Sequence, residues 1–182
     1  KSFDAKFLLL KEGNYVPAVA FGARDLAGTG VFSAEYLVAS KRFNNFDFTL
    51  GIGWGTFSDN GIKNPFRYID DEFETRDVTS NETQGGEFSI GNYLSGKDVG
   101  IFGGVEVYLP NLRGARFKVE YDSTDYEKEG FPFGKQSFNF AFKNVRQPSS
   151  KINIGLVYPI SDNFHLKLFH VKGHTLSFGF SF

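Results

Sequence analysis

His174 and Ser177 lie three residues apart near the end of the chain. A Ser–His pair is the nucleophilic arrangement of outer-membrane lipid hydrolases, so the pair is weighed first. Nucleophilic catalysis also needs a group that orients the base and donors for the oxyanion. Neither is legible in the sequence. Residues 174 and 177 also fall on opposite faces of a strand. No catalytic residue is assigned. His165, His170 and His174 match no metal-ligand spacing. The acidic run "DDEFETRD" at 70–77 lacks the Gly and Glu positions of a calcium-binding EF-hand loop. No metal and no cofactor are expected. "GIGWG" at 51–55 lacks the G-x-G-x-x-G spacing and a following helix, so it is no phosphate loop. "NET" at 81–83 fits a glycosylation acceptor, which means little if the source is bacterial.

The charges that remain stand in rows. Arg116, Lys118, Glu120 and Asp122 alternate with Ala115, Phe117, Val119 and Tyr121. A period of two is the signature of a strand. The same alternation sets Gly100, Phe102, Gly104, Glu106 and Tyr108 against Val99, Ile101, Val105, Val107 and Leu109. It sets Asp47, Thr49, Gly51, Gly53 and Gly55 against Phe46, Phe48, Leu50, Ile52 and Trp54. In 31–41 it sets Ser33, Glu35, Leu37, Ala39 and Lys41 against Phe32, Ala34, Tyr36 and Val38. The chain closes on "LSFGFSF", with a ring or Leu at every second place.

Nine strands are expected, near 2–12, 15–24, 30–42, 45–57, 98–109, 115–126, 151–159, 163–171 and 174–182, with a doubtful one at 137–143. Strands of about 9–12 residues exceed the globular average of about 5–6. They match the ~9–11 residues of a tilted strand that crosses a bilayer. The expected fold is an all-β, antiparallel, up-and-down transmembrane β-barrel. A soluble sandwich core is the competing interpretation. The connections sort into short ones at one end and long ones, near 58–97 and 127–149, at the other. Outer-membrane barrels have that asymmetry. An odd strand count suits no closed bacterial barrel. The stretch 1–182 is therefore expected to be one barrel domain that lacks upstream strands.

In that barrel the residues expected to line the lumen are Arg24, Glu35, Lys41, Glu106, Tyr108, Arg116, Lys118, Glu120 and Asp122. They could meet a sugar polymer, or plug the lumen with their own ion pairs. Phe178, Phe180 and Phe182 are expected to face lipid. Tyr15 and Tyr158 are expected in the periplasmic girdle, and Trp54 in the outer one.

Composition agrees. The 182 residues carry a net charge of −1, so no electrostatic partner such as nucleic acid is indicated. There is no cysteine, which excludes disulfides and thiolate chemistry. The 23 Phe and 21 Gly favour strands and tight turns.

Several stretches resemble the YjbH/WbfB family of outer-membrane proteins linked to exopolysaccharide production. They are "KSFDAKFLLLKEGNYVPAVAFGARDLAGTGVFSAEYLVASKRF", "FDFTLGIGWG", "GGEFSIGNYLSGKDVGIFGGVEVYLP", "KVEYDSTDY" and "NIGLVYPISDNFHLKLFHVKGHTLSFGFSF". The resemblance is weakest over 58–84 and 127–149. It implies a non-enzymatic outer-membrane β-barrel of a Gram-negative bacterium that assists export or surface display of an exopolysaccharide. The implied partners are outer-membrane lipids, the polysaccharide, and periplasmic or lipoprotein components of an export system. The alternatives are a plugged barrel that presents loop 58–97 to a partner, and the lipid hydrolase weighed above. The resemblance supplies no catalytic residues.

Overall fold

The computed structural model describes residues 3–26, 33–58, 62–76, 93–124 and 148–182. They form one antiparallel sheet of ten strands: β1 (Ala5–Leu10), β2 (Ala18–Arg24), β3 (Ala34–Phe43), β4 (Phe46–Gly53), β5 (Ile62–Lys63), β6 (Asp98–Leu109), β7 (Ala115–Tyr121), β8 (Ile152–Ser161), β9 (Phe164–Val171) and β10 (Thr175–Ser181). Nine of them follow one another in chain order, each bonded to the next. The two-residue β5 pairs with the start of β6. The segment 137–143 and most of the loop 127–149 lie outside the described residues.

Two expectations on architecture need adjustment. Among the described residues the sheet does not close, because β1 and β10 each pair on one side only. Most strands are also shorter than expected, although β6 has the expected bounds and β8 is one residue longer. β3, β6 and β8 have ten, twelve and ten residues, and the other long-range strands have six to eight. Chain bends account for part of this. The β1–β2 register shifts between Leu8 and Leu10, and β4 gives way to a 3-10 turn at Gly55–Phe57. Residue Arg113 turns the β6–β7 hairpin with positive φ and Gly114 follows it, which suits the tight reversal. No helix among the described residues is long and apolar enough to cross a membrane, which says nothing about strands.

The register divides the sheet into two faces. One holds Phe7, Leu37, Phe48, Leu50, Ile101, Phe117, Ile154, Leu168, Phe178 and Phe180. All of these are exposed, Leu50 by 65% and Phe178 by 69%. The other face holds Ser40, Asp47, Thr49, Glu106, Lys118, Glu120, Asn153, Ser177 and Ser181, with Tyr36, Phe102 and Phe169 among them. We refer to these as the apolar and polar faces. A water-soluble single sheet would bury the first against another layer. Here the apolar row stays uncovered along most of its length.

The rings on the polar face lie over glycines. A Cβ on Gly22 would overlap Tyr36, one on Gly51 would overlap Phe102, and one on Gly155 would overlap Phe169. Side-chain-free positions therefore let rings lie flat along the sheet, a pairing that also stabilises glycine in strands.

Candidate functional site

The polar face carries a band of charge near the short-connection end. Cross-strand register aligns Asp47, Glu106 and Lys118 at one level, and Thr49, Gly104, Glu120 and Asn153 at the next. Lys118 forms an ion pair with Glu106, and Arg116 lies 3.8 Å from the same carboxylate. Ser40 and Thr49 hydroxyls are 3.0 Å apart. These groups surround a hollow of about 520 Å³, bounded on one side by Phe57 and Phe102. Asp122 closes it beyond the end of β7, where its Oδ1 accepts from the Thr124 N–H at 2.9 Å.

A ring cluster separates the hollow from the long-connection end. Phe57 folds onto the polar face after β4. Its ring lies 5.7 Å from Tyr36 and 5.5 Å from Phe102, and the Arg24 guanidinium stands 5.4 Å over it. Ser123 Oγ donates to the Phe57 carbonyl at 3.0 Å.

Of the expected charged row, Arg24, Glu106, Tyr108, Arg116, Lys118 and Glu120 share the polar face. Glu35 and Lys41 do not. In β3 they stand in phase with Leu37, and Lys41 is opposite Phe48 on the apolar face. Arg42, one residue on, is the cation of the polar row, opposite Asp47. The reason is the glycine pairing: Tyr36 needs the space over Gly22, so the whole strand is turned by one residue from the expected phase.

Each displaced charge has a local partner. Lys41 reaches the β1–β2 connection, where its Nζ bonds Glu12 Oε1 at 3.1 Å and the Gly13 carbonyl. The Arg42 N–H and then the Lys41 ammonium hold the Glu12 carboxyl below its ordinary value. Glu35 is fully buried. Arg76 grips it bidentately, Nη1 to Oε2 at 2.9 Å and Nη2 to Oε1 at 2.7 Å, and the Leu94 N–H donates to Oε2 at 2.9 Å. Such a fork is the strong form of the ion pair.

Trp54 is likewise corrected. It is 3% exposed and belongs to no girdle. The chain leaves β4 before it, and residues 62–76 fold over it. Its Nε1 donates to Asn64 Oδ1 at 3.1 Å, and its ring lies 5.7 Å from Phe66. Asn64 also donates to the Phe73, Leu94 and Gly96 carbonyls, so one buried amide ties the flap to itself and to the 94–96 segment. Tyr93 adds a tie, its hydroxyl donating to the Leu26 carbonyl at 2.7 Å. Burial, and then the Glu35 carboxylate, push that hydroxyl above its ordinary value. The flap thus covers the apolar face at the long-connection end, where Ala23, Glu35 and Trp54 would otherwise be exposed.

The remaining ring positions fall on the apolar side or in connections. Tyr158 is half-buried opposite Leu166, and Tyr15 is exposed in the β1–β2 connection. Phe178 and Phe180 share the apolar face, and Phe182 is exposed just after β10. His174 Nδ1 lies 2.9 Å from Thr175 Oγ1, while Ser177 stands on the polar face opposite Phe169. Among the described residues no group of His, Asp and Glu could hold a metal ion. The sequence reasoning missed Ser40 and Asn153 as members of the polar band, and it set Asp47 and Thr49 opposite the rings of their strand without naming them as lumen residues. Once the register is known, the alternation of each strand assigns them.

The family profile described as "YjbH: Exopolysaccharide biosynthesis protein YbjH" matches residues 1–182. The chain belongs to the YjbH family. A YjbH relative from Escherichia coli (strain K12), titled "Uncharacterized lipoprotein YjbH", is 37% identical over 180 residues. That match covers 98% of this chain and 24% of the relative, so the chain spans about a quarter of the YjbH relative's length. No solved structure matches.

Proposed function

We propose that the chain is part of the wall of an outer-membrane β-barrel that assists export or surface display of an exopolysaccharide. The family's link to exopolysaccharide biosynthesis supplies the biological context. The observation that carries the membrane assignment is the uncovered apolar face. Its exposed Leu and Phe residues recur across β1, β4, β7, β9 and β10, and the facing row is polar or small. Patches of this extent on a water-soluble surface mark a missing neighbour. Hydrocarbon is the neighbour that covers alternate residues of every strand at once. The relative's title as a lipoprotein agrees with a place in the cell envelope. Further strands from a longer chain would close the two free edges, since an open edge has no partner in lipid.

In this role the protein performs no bond chemistry. The polar face would line a path or a vestibule, with energy supplied elsewhere, and the loops would meet periplasmic or lipoprotein partners of an export system. A second reading has one observation in its favour. Phe57, Tyr36 and Phe102 fill the polar face beside the hollow, as a plugged scaffold would require.

Two measurements on the full-length protein test these statements. Heat-modifiable migration in detergent, with retention in the membrane after alkaline washing, is expected of the barrel. Solubility without detergent would overturn it. In planar bilayers an open path gives conductance steps, and a plugged scaffold gives none.

A further inference from the structure

The hollow on the polar face has a composition that selects among sugars. Gly104 forms its floor, without a side chain, between Thr49 and Glu120. The Phe102 ring makes one wall. It is held by Tyr36 at 6.3 Å and Phe57 at 5.5 Å, so it presents a fixed flat surface. The opposite wall is the Lys118–Glu106 pair. A volume of about 520 Å³ lies within the ordinary range of ligand pockets.

We infer that this hollow receives one ring of the polymer, and that the ring is a neutral or amino-bearing sugar rather than a uronate. The inference rests on the export role proposed above. The C–H face of a pyranose can lie on the Phe102 ring, while its edge hydroxyls meet polar side chains. Among the described residues, four carboxylates, Asp47, Glu106, Glu120 and Asp122, and one ammonium, Lys118, line the hollow; Arg42 stands opposite Asp47 and Arg116 lies 3.8 Å from Glu106, which leaves Glu120 as a lining carboxylate with no ion pair among these residues. The Lys118 ammonium is already bound to Glu106. A sugar carboxylate would therefore meet like charge, which disfavours its ionised form. Sugar hydroxyls and ammonium groups are donors, and carboxylates accept from both. The Asn153 side-chain oxygen already accepts from the Lys172 N–H at 2.9 Å. Its NH₂ is then the end that can donate to a ring oxygen.

The test uses the full-length protein in detergent micelles, with calorimetric titration of three probes: cello-oligosaccharide, chitosan oligosaccharide and oligogalacturonate. The first two are expected to bind and the third to bind at least about tenfold more weakly, a factor of one order in Kd. Asn153→Trp, which fills the hollow, is expected to abolish binding of the first two. Glu120→Gln is expected to weaken the chitosan probe and strengthen oligogalacturonate. Heat-modifiable migration of each variant reports that it is folded. Equal binding of all three probes, tightest binding of the uronate, no binding at all, or binding unaffected by Asn153→Trp would each overturn the inference. A heat-modifiable protein that binds no sugar sinks this inference and leaves the barrel standing. A protein soluble without detergent sinks the barrel whatever the sugars do.

Discussion

The ring of Phe102 occupies the space that a Cβ on Gly51 would need. The two residues face each other across β4 and β6, and the ring also touches Tyr36 and Phe57. Gly51→Ala therefore forces the ring off its site. Overpacking of this kind costs about 1–3 kcal/mol. The expected readout is a lower temperature for loss of the fast-migrating folded band. In the double variant Gly51→Ala/Phe102→Ala the clash is gone, so its cost should be less than the sum of the two single changes. Strict additivity would mean that the ring does not depend on the glycine.

The same pairing explains which parts of the fold were legible in the sequence. β6 and β7 have one row of Val, Ile, Leu and Phe against one of Glu, Lys, Arg and Gly, and their faces follow directly from the period of two. β3 is ambiguous, because Leu37 and Ala39 stand against Tyr36 and Val38 in a strand with apolar residues in both rows. The larger ring points to the apolar face on size alone. The structure puts it on the polar face because Gly22 and Gly53 lie beside it there. Trp54 escaped the alternation because the strand ends before it. The Glu35–Arg76 pair spans 41 residues and depends on how the flap folds, which local periodicity does not encode.

Glu35 supplies a second prediction. It is fully buried, and its carboxylate is compensated by the Arg76 fork. Arg76→Ala leaves an unpaired charge under the flap, and breaking a buried pair from one side costs about 3–5 kcal/mol. Local opening of the flap is expected before the sheet is lost. Limited proteolysis should cut within residues 62–76 in the variant and spare the wild type. Glu35→Gln in the Arg76→Ala background removes the stranded charge and should restore part of the resistance. No restoration would mean that the pair is not what holds the flap.

The neighbours Thr49 and Leu50 separate a lipid contact from a water contact. They occupy successive positions of β4, Thr49 on the polar face and Leu50 on the apolar face at 65% exposure. Exposed to water, Leu50→Arg would change stability little. Against hydrocarbon near the bilayer midplane it costs about 2–4 kcal/mol. Thr49→Arg, on the polar side, should be mild in either setting. The expected outcome is a marked loss of folded, membrane-inserted protein for Leu50→Arg and near-normal levels for Thr49→Arg. Equal levels of the two variants would place water, not lipid, against the apolar face.

Trp54 is the single tryptophan of the chain, so its fluorescence reports one place. A girdle residue would touch lipid, and brominated lipids would quench it. The buried position beneath Asn64 and Phe66 predicts the opposite: blue-shifted emission that neither brominated lipid nor acrylamide quenches. Asn64→Ala removes the acceptor of the Trp54 Nε1–H and the donor to the Phe73, Leu94 and Gly96 carbonyls. Groups left buried without partners cost about 1–3 kcal/mol each, so the flap should loosen. Emission should then shift to the red, and acrylamide should gain access. If brominated lipid quenches the variant as well, the flap lies against the bilayer. Quenching by acrylamide alone would mean that the opened flap meets water, above the level of the hydrocarbon.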